Sequence, residues 1–191
     1  MKIGIFGGTY DPFTVGHAAV VKKAFEQLQL DKVVIVPTTV NYYRSDKRYL
    51  FTFDEKVRII QDFICGIDKP VEIDTIEKDK DGSWRTIDLV QYFNNKYPID
   101  ELYLIIGEDS YKEFKTWTRW NDILHYVTLA VANRGENIDS KLQECVPAIS
   151  INMGKEFEDC SATNCRNRLI EELMDMYLAD KECYFNSIQL S

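Results

Sequence analysis

Short apolar runs recur along the chain, bounded by polar residues, glycine or proline. Continuous runs of this kind are typical of parallel β-strands that are covered on both faces of a sheet. One run is followed directly by Pro37, which marks its end. The predicted strands are Lys2–Phe6, Lys32–Val36, Val71–Ile73, Glu101–Ile106, Val127–Ala132 and Ala148–Ile151.

Between these strands, apolar residues recur every three or four positions, which predicts helices that bury one face. Asp54 is a candidate cap for the second helix, whose apolar face is Val57, Ile60, Phe63 and Ile64. The first helix carries Ala19, Val20, Ala24, Phe25 and Leu28, and the third begins after Ser83. Further helical segments are predicted for Ser110–Leu124, from Asp159 or Ser161 onward, and for Met174–Tyr184.

Strands that alternate with helices predict an α/β fold, a Rossmann-like, doubly wound and mainly parallel sheet with helices on both faces. No repeat or low-complexity linker divides the chain, so we expect one domain over residues 1–191. Ligands of such sheets bind beyond the carboxyl ends of the strands. Gly7–His17, Thr38–Arg48 and Gly107–Asp109 each follow a strand and are therefore expected to face one crevice.

The composition is that of an ordinary globular protein, with 191 residues, 45% hydrophobic and 28% charged. No apolar run approaches the roughly 20 residues of a membrane span, and the start of the chain has no signal-peptide pattern. Five cysteines without a CxxC pair favour reduced thiols in a cytoplasmic protein, and only two histidines argue against zinc. A net charge of −8 argues against nucleic acid as a partner but allows small anionic substrates.

The segment Gly7–His17 joins the first strand to the first helix through a glycine-rich turn. Glycine lets the backbone approach a ligand, and the free N–H groups of a helix start attract anions. His17 lies just inside the helix, where its imidazole could bond a phosphate oxygen, and Thr14 could add a hydroxyl. The segment is neither a GxGxxG fingerprint nor a Walker loop, and it predicts a phosphate site of another kind.

The same segment resembles the (H/T)xGH signature of the nucleotidylyltransferase superfamily. In that superfamily the two motif positions, here Thr14 and His17, hold the phosphates of a nucleoside triphosphate. The resemblance implies that both residues act in catalysis and that the residues before them bind ATP. Those residues are Gly7, Gly8, Thr9, Tyr10 and Asp11.

A second stretch, Ser161–Arg166, resembles the (I/S)S(S/A)TxxR signature of the same superfamily. A helix start with hydroxyl groups supplies hydrogen-bond donors, and Arg166 adds a fixed positive charge one turn later. The resemblance implies that Ser161, Thr163 and Arg166 bind the β- and γ-phosphates of ATP.

A third stretch, Gly107–Trp117, resembles the nicotinate-nucleotide adenylyltransferase branch, which carries G-x-D-S…F…W at this place. The resemblance implies that Gly107 and Asp109 bind ATP and that Trp117 stacks on the pyridine ring of a mononucleotide. Asp109 and Trp117 are eight positions apart. They are therefore expected to point into one crevice if the intervening segment is helical.

The sequence departs from that branch around its predicted acceptor site. The branch usually carries Pro-Pro-His-Lys after the second strand, where this chain has Asn41–Arg44, and Arg44 keeps the positive charge. Thr14 replaces the branch's more common histidine and is typical of phosphopantetheine adenylyltransferases. By resemblance, Arg44 and Arg134 are further ATP contacts, and Thr39, Ser83, Trp84 and Arg85 are substrate contacts.

The predicted reaction is adenylyl transfer from ATP to nicotinate mononucleotide, with Mg²⁺ held mainly by phosphates and water and no metal cage in the protein. Arg85 could favour a carboxylate over an amide on the pyridine ring. Phosphopantetheine adenylyl transfer and a nucleotide-binding module without turnover stay open, whereas cytidylyl transfer lacks its Arg-Thr-Glu-Gly-Ile-Ser string. The predicted partners are ATP and a pyridine mononucleotide, without nucleic acid or membrane, and the sequence leaves a homo-oligomer open.

Overall fold

The structure is a computed structural model that describes residues 1–39, 49–79, 84–133, 140–154 and 163–169. Its centre is a sheet of parallel strands in the order β3-β2-β1-β4-β5-β6, which confirms the predicted α/β fold. The strands are β1 (Lys2–Gly8), β2 (Lys32–Pro37), β3 (Val71–Ile73), β4 (Glu101–Gly107), β5 (Thr128–Asn133) and β6 (Ala148–Asn152).

Helices connect the strands and cover the sheet. Three of the helices in the described ranges are longer than ten residues: α1 (Val15–Leu28), α2 (Phe53–Ile64) and α4 (Thr86–Lys96). The shorter ones are α3 (Ile76–Asp79), α5 (Glu108–Lys112), α6 (Trp120–Ile123), α7 (Ser140–Cys145) and α8, the helical residues 163–169. Among the residues described, no helix combines the length and the apolar character that a membrane crossing requires.

Alternating strand residues fill two cores, one on each face of the sheet, because successive side chains of a strand point to opposite sides. On one face, Ile3 and Ile5 of β1 pack with the apolar side of α4 around Phe93. On the other face, Phe6 of β1 packs with α1 and α2, including Phe25. Burial on both faces explains why the strand sequences are almost continuously apolar.

The chain builds one half of the sheet from β1 through β3 and then crosses back to place β4 beside β1. The order therefore reverses between β1 and β4, and ligands of open α/β sheets bind at such a point. Gly8 ends β1 and Gly107 ends β4, so the segments that follow them flank the same opening. Among the described residues other than its chain neighbours, no atom lies within 4 Å of the position that a Cβ on Gly107 would take, so these residues leave a ligand room to approach this backbone.

One local prediction was wrong. Thr52, not Asp54, caps α2: its hydroxyl accepts from the Glu55 N–H, and the Glu55 carboxylate accepts from the Thr52 N–H at 2.8 Å. This reciprocal pair satisfies two backbone donors at once and so determines where the helix begins. The helical segments predicted for Ser110–Leu124 are present as α5, a 3₁₀ turn at Phe114–Thr116 and α6, with a break between them.

The break in that segment has a visible cause. The Thr116 hydroxyl donates to the carbonyl of Glu113 at 2.7 Å, and Trp117 then takes an extended conformation. Threonine hydroxyls compete in this way for backbone groups that would otherwise continue a helix. Arg119 follows in the left-handed region with a φ of 54°, which starts α6 in a new direction. The helical premise for pairing Asp109 with Trp117 is therefore incorrect.

Candidate functional site

The turn after β1 leads directly into α1, and Thr14 is the residue that precedes the first helical turn. The Thr14 N–H donates to Nδ1 of His17 at 2.9 Å, and the Thr14 hydroxyl lies 3.0 Å from the same nitrogen. His17 is the third residue of α1, so its ring folds back over the helix start. The two predicted catalytic residues therefore form one hydrogen-bonded unit at a positively polarised helix end.

Three aromatic rings surround the imidazole of His17. The ring centroids of Phe13, Tyr10 and Phe6 lie 5.1, 5.2 and 6.2 Å from that of His17. All three aromatic side chains are buried, whereas His17 itself is only partly buried. The aromatic rings thus restrict the orientation of the imidazole while leaving part of it accessible.

Tyr10 also shapes the glycine turn. Its hydroxyl donates to the carbonyl of Phe6 at 2.7 Å, and its backbone φ is 45°, in the left-handed region. A Cβ on Gly8 would come within 2.9 Å of the Tyr10 ring, so this position requires a residue without a side chain while the ring stays in place. Burial raises the pKa of the Tyr10 phenol well above its usual range, and the nearby Glu77 carboxyl adds to that effect. Tyr10 is therefore a neutral, packed part of the turn.

Asp11 anchors a neighbouring segment through its side chain. The carboxylate is 1% exposed and accepts backbone N–H groups from Leu50 and Phe51 at 2.9 to 3.1 Å. This arrangement holds the chain before α2 against the turn. Asp11 was predicted to contact ATP, but its carboxylate is directed toward protein backbone.

The second motif lies against the first. The Arg166 guanidinium donates from Nη1 to the backbone carbonyl of Asp11 and from Nη2 to the Thr163 hydroxyl at 3.1 Å. Asp11 and Arg166 are 155 positions apart in the sequence, and both were predicted from separate motifs. The structure therefore brings a fixed positive charge from α8 to the edge of the glycine turn.

On the β4 side of the opening, Gly107 leads into α5 and Asp109 is exposed in its first turn. Trp117 is half-buried, and its ring packs against Phe114 with a centroid distance of 5.2 Å. One side of the Trp117 indole is therefore used for packing in the protein, while the residue retains exposed surface.

Trp84 and Arg85 precede α4, and Arg85 reaches the Trp117 segment. Arg85 donates from Nη1 to the Thr118 hydroxyl at 2.9 Å, which brings this guanidinium next to the chain neighbour of Trp117. Trp84 is half-buried and meets Tyr92 edge to face at 5.5 Å. Three of the predicted acceptor contacts, Trp84, Arg85 and Trp117, thus belong to one neighbourhood.

Glu77 is a buried acid that the sequence analysis missed. It lies in α3 and is 5% exposed, and the Thr38 hydroxyl donates to its Oε1 across 3.5 Å. Burial raises the pKa of Glu77 to about 7, although bonds from the Thr39 backbone and the Thr38 hydroxyl and the charge of Lys56 oppose the shift. A lone glutamate between isoleucine and lysine carries no local signal of burial, because the burial comes from packing against distant segments.

Lys56 is the cation that faces this acid. It lies on α2, is 2% exposed, and its Nζ is 4.0 Å from the centroid of the Tyr49 ring. Helical periodicity assigned the apolar face of α2 to Val57 and its neighbours, so the burial of this lysine was also not predicted. Glu77 and Lys56 are thus two buried ionisable side chains near the end of β2, where Thr38 and Thr39 begin the next segment.

Several predicted site residues lie outside the part of the chain that the structure describes, namely Arg44, Ser83, Arg134 and Ser161. Their roles remain predictions. Within the described ranges, no group of three or more His, Cys, Asp or Glu side chains could hold a metal ion. Gly7 is near the end of β1, Thr9 lies in the turn that follows the strand, and Thr39 adjoins Glu77.

Comparison with known proteins gives a consistent result. A model of the cytidylyltransferase-like family matches residues 5–168. A protein of Aliarcobacter butzleri described as a probable nicotinate-nucleotide adenylyltransferase is 32% identical over 75% of this chain and 78% of its own length. A protein of the same description from Cytophaga hutchinsonii is 31% identical over 95% of this chain and 93% of its own.

A solved structure shows the same fold. The nicotinic acid mononucleotide adenylyltransferase of Plasmodium falciparum, complexed with NaAD, superposes with a TM-score of 0.68. The alignment covers 79% of this chain and 74% of that protein at 21% identity. At this identity the similarity supports the arrangement of strands and helices alone.

Proposed function

Because the chain belongs to the cytidylyltransferase-like family and, within it, to the nicotinate-nucleotide adenylyltransferases, we propose that it transfers the adenylyl group of ATP to nicotinate mononucleotide. The products are nicotinate adenine dinucleotide and pyrophosphate. The observation that carries the proposal is the contact between Arg166 and Asp11, which joins the two motifs predicted to bind phosphate from distant parts of the chain. They meet beside the end of β1, where the strand order reverses.

In the proposed reaction, a phosphate oxygen of the mononucleotide attacks the α-phosphorus of ATP. The bond between that phosphorus and the oxygen that bridges to the β-phosphate breaks, and pyrophosphate leaves. Because the acceptor phosphate is itself the nucleophile, no side chain has to attack. The task of the protein is to align the two phosphates and to stabilise the charge that develops during transfer.

His17 and Thr14 are assigned to the α-phosphate. Nδ1 of His17 accepts from the Thr14 N–H, so a neutral ring carries its proton on Nε2 and can donate it in a hydrogen bond. The N–H groups of the α1 start add donors that match an anion. The glycine turn, Gly7 to Asp11, supplies the backbone against which the triphosphate lies.

Arg166 and Thr163 are assigned to the leaving pyrophosphate, with Ser161 and Arg44 as further contacts. A guanidinium binds phosphate oxygens through a planar pair of donors, which a lysine does not offer. Mg²⁺ would be held mainly by phosphate oxygens and water and would neutralise charge on the triphosphate.

The acceptor is assigned to the Trp84, Arg85 and Trp117 neighbourhood, with Ser83 and Thr39 beside it, and the adenosine of ATP to Gly107, Asp109 and Arg134. Trp117 offers a flat apolar surface for a pyridine ring. Arg85 supports a preference for nicotinate, because its guanidinium can pair with the ring carboxylate.

The direct test is to incubate the purified protein with ATP and one of three acceptors and to separate the products by chromatography. The acceptors are nicotinate mononucleotide, nicotinamide mononucleotide and phosphopantetheine. Nicotinate mononucleotide should give the dinucleotide and equimolar pyrophosphate. Adenylyl transfer to phosphopantetheine instead of nicotinate mononucleotide would assign the protein to a different branch of the family. ATP binding without turnover of any acceptor, nicotinamide mononucleotide included, would leave a nucleotide-binding module.

A further inference from the structure

One backbone hydrogen bond links the end of β2 to the glycine turn, Gly7 to Asp11, which is called the phosphate turn below. The Thr38 N–H donates to the carbonyl of Gly8 at 2.9 Å, immediately after the strand pairing of Gly8 with Pro37. A shift of Thr38 would therefore move Gly8. Gly8 in turn packs under the ring of Tyr10, which borders His17.

Glu77 holds the other side of the same segment. Its carboxyl accepts hydrogen bonds from the Thr38 hydroxyl, across 3.5 Å at Oε1, and from the Thr39 backbone. Two successive residues after β2 are thus fixed by one side chain from α3. Among the described residues, the second carboxyl oxygen, Oε2, has no hydrogen-bond partner, and neither does the buried Thr39 hydroxyl.

This arrangement is unfavourable for folding. Burying a carboxyl with one unpaired oxygen carries a desolvation cost, and an apolar side chain or an amide would avoid the cost of ionisation. Buried ionisable groups of this kind concentrate at functional sites, where they are retained in spite of that cost. Within the described part of the chain, Lys56 of α2 and Tyr10 of the phosphate turn are the titratable groups that face Glu77, and the ammonium of Lys56 favours its ionised form.

We infer that Glu77 is a positioning residue of the adenylyl transfer: through Thr38 it holds the Gly8 turn in the geometry that binds the triphosphate. The inference rests on the proposed function for its substrate. The carboxylate form accepts both threonine bonds, so this form holds the segment better than the neutral acid. An amide oxygen at this position carries no negative charge, so it accepts the two threonine bonds more weakly and loosens the segment.

The test compares wild type with Glu77→Gln and Glu77→Asp by calorimetric titration with ATP at pH 6, 7 and 8. At pH 8, Glu77→Gln should bind ATP about tenfold more weakly, the effect expected when the threonine hydrogen bonds lose the charge of their acceptor. The difference should shrink toward pH 6, where the wild-type acid is itself protonated. Titration of the ATP phosphates affects all variants equally and cancels in the comparison. Glu77→Asp, which keeps the charge, should recover part of the loss.

Two controls distinguish positioning from damage to the fold. Glu72→Gln removes an exposed carboxylate from the neighbouring β3 and should leave ATP binding unchanged. Thermal unfolding at pH 8 should show that Glu77→Gln is at least as stable as wild type, which a merely structural role would not give. Equal ATP affinity of Glu77→Gln and wild type at all three pH values would overturn the inference. Because ATP binding is measured without an acceptor, that result is independent of whether nicotinate mononucleotide is turned over.

Discussion

The backbone N–H of Thr14 donates to Nδ1 of His17 at 2.9 Å, so the chain itself selects the tautomer of its candidate catalytic imidazole. An acceptor at Nδ1 requires the proton of a neutral ring to be on Nε2. The ring can then donate to a phosphate oxygen without carrying a positive charge. Thr14 of the (H/T)xGH pattern thus contributes through its backbone as well as its hydroxyl. Any residue except proline can supply that N–H, so the backbone contribution does not depend on the threonine side chain.

Replacing His17 tests this role. We expect His17→Ala to fold normally and to lower kcat/KM by at least about a hundredfold, a typical loss for one transition-state donor. Glutamine can extend an amide N–H toward the position of Nε2, so His17→Gln should retain more activity than His17→Asn. His125→Ala removes the other, exposed histidine and should leave steady-state rates unchanged. A near-normal rate for His17→Ala would exclude the imidazole from the mechanism.

Arg166 provides a second prediction. Because its planar fork bonds both Asp11 and Thr163, Arg166→Lys should raise the KM for ATP even though the charge is kept. Arg166→Ala should raise it further, by about tenfold or more. Arg168→Ala is the matched control, since this exposed arginine lies two positions later on α8. Initial rates at varied ATP concentrations give the KM values. An unchanged KM for Arg166→Ala would mean that the second motif only caps a helix and does not bind ATP.

Trp117 is expected to act on the acceptor. Trp117→Ala should raise the KM for the mononucleotide more than the KM for ATP, because the indole surface is assigned to the pyridine ring. Trp120→Ala also removes an indole that packs on Phe114, so it controls for the loss of packing. That variant should lower the melting temperature without separating the two KM values. Equal changes in both KM values for Trp117→Ala would contradict the stacking role.

Arg85 is expected to set the preference between ring substituents. Its guanidinium, near Thr118, favours a carboxylate over a neutral amide, so wild type should use nicotinate mononucleotide better than nicotinamide mononucleotide. Arg85→Gln should bring the two kcat/KM values closer together. Arg58→Gln, an exposed substitution on α2, should preserve the wild-type ratio. Equal use of both mononucleotides by wild type would remove the argument for Arg85.

The raised pKa of Glu77 predicts how stability changes with pH. Its pKa rises from 4.5 to about 7 on folding, so between these values the folded state binds more protons than the unfolded state. The contribution of Glu77 to stability therefore falls as the pH rises from about 4.5 to about 7 and stays low above that. The glutamine of Glu77→Gln cannot ionise. Urea unfolding should therefore show that the free energy of unfolding of this variant, relative to that of wild type, is higher at pH 8 than at pH 5. The same difference at both pH values would contradict the buried-acid account.

The sequence predicted the sheet because burial on both faces leaves a local signature in each strand, such as Val33 to Val36. It also predicted that motifs at opposite ends of the chain converge, and the contact of Arg166 with Asp11 brings them together. Local patterns could not reveal the break at Thr116, because a single hydroxyl bond decides it. They also could not reveal Glu77, because only the packing of α3 against the end of β2 makes that acid buried.

The central claim, adenylyl transfer rather than any other use of ATP, is tested most directly by following two isotopic labels. ATP labelled at the α-phosphate should pass its label to the dinucleotide when nicotinate mononucleotide is present, and ATP labelled at the γ-phosphate should release its label as pyrophosphate. Both labels should stay in ATP when the acceptor is omitted. Transfer of the γ-label to the acceptor, or release of labelled inorganic phosphate without a dinucleotide, would contradict the account.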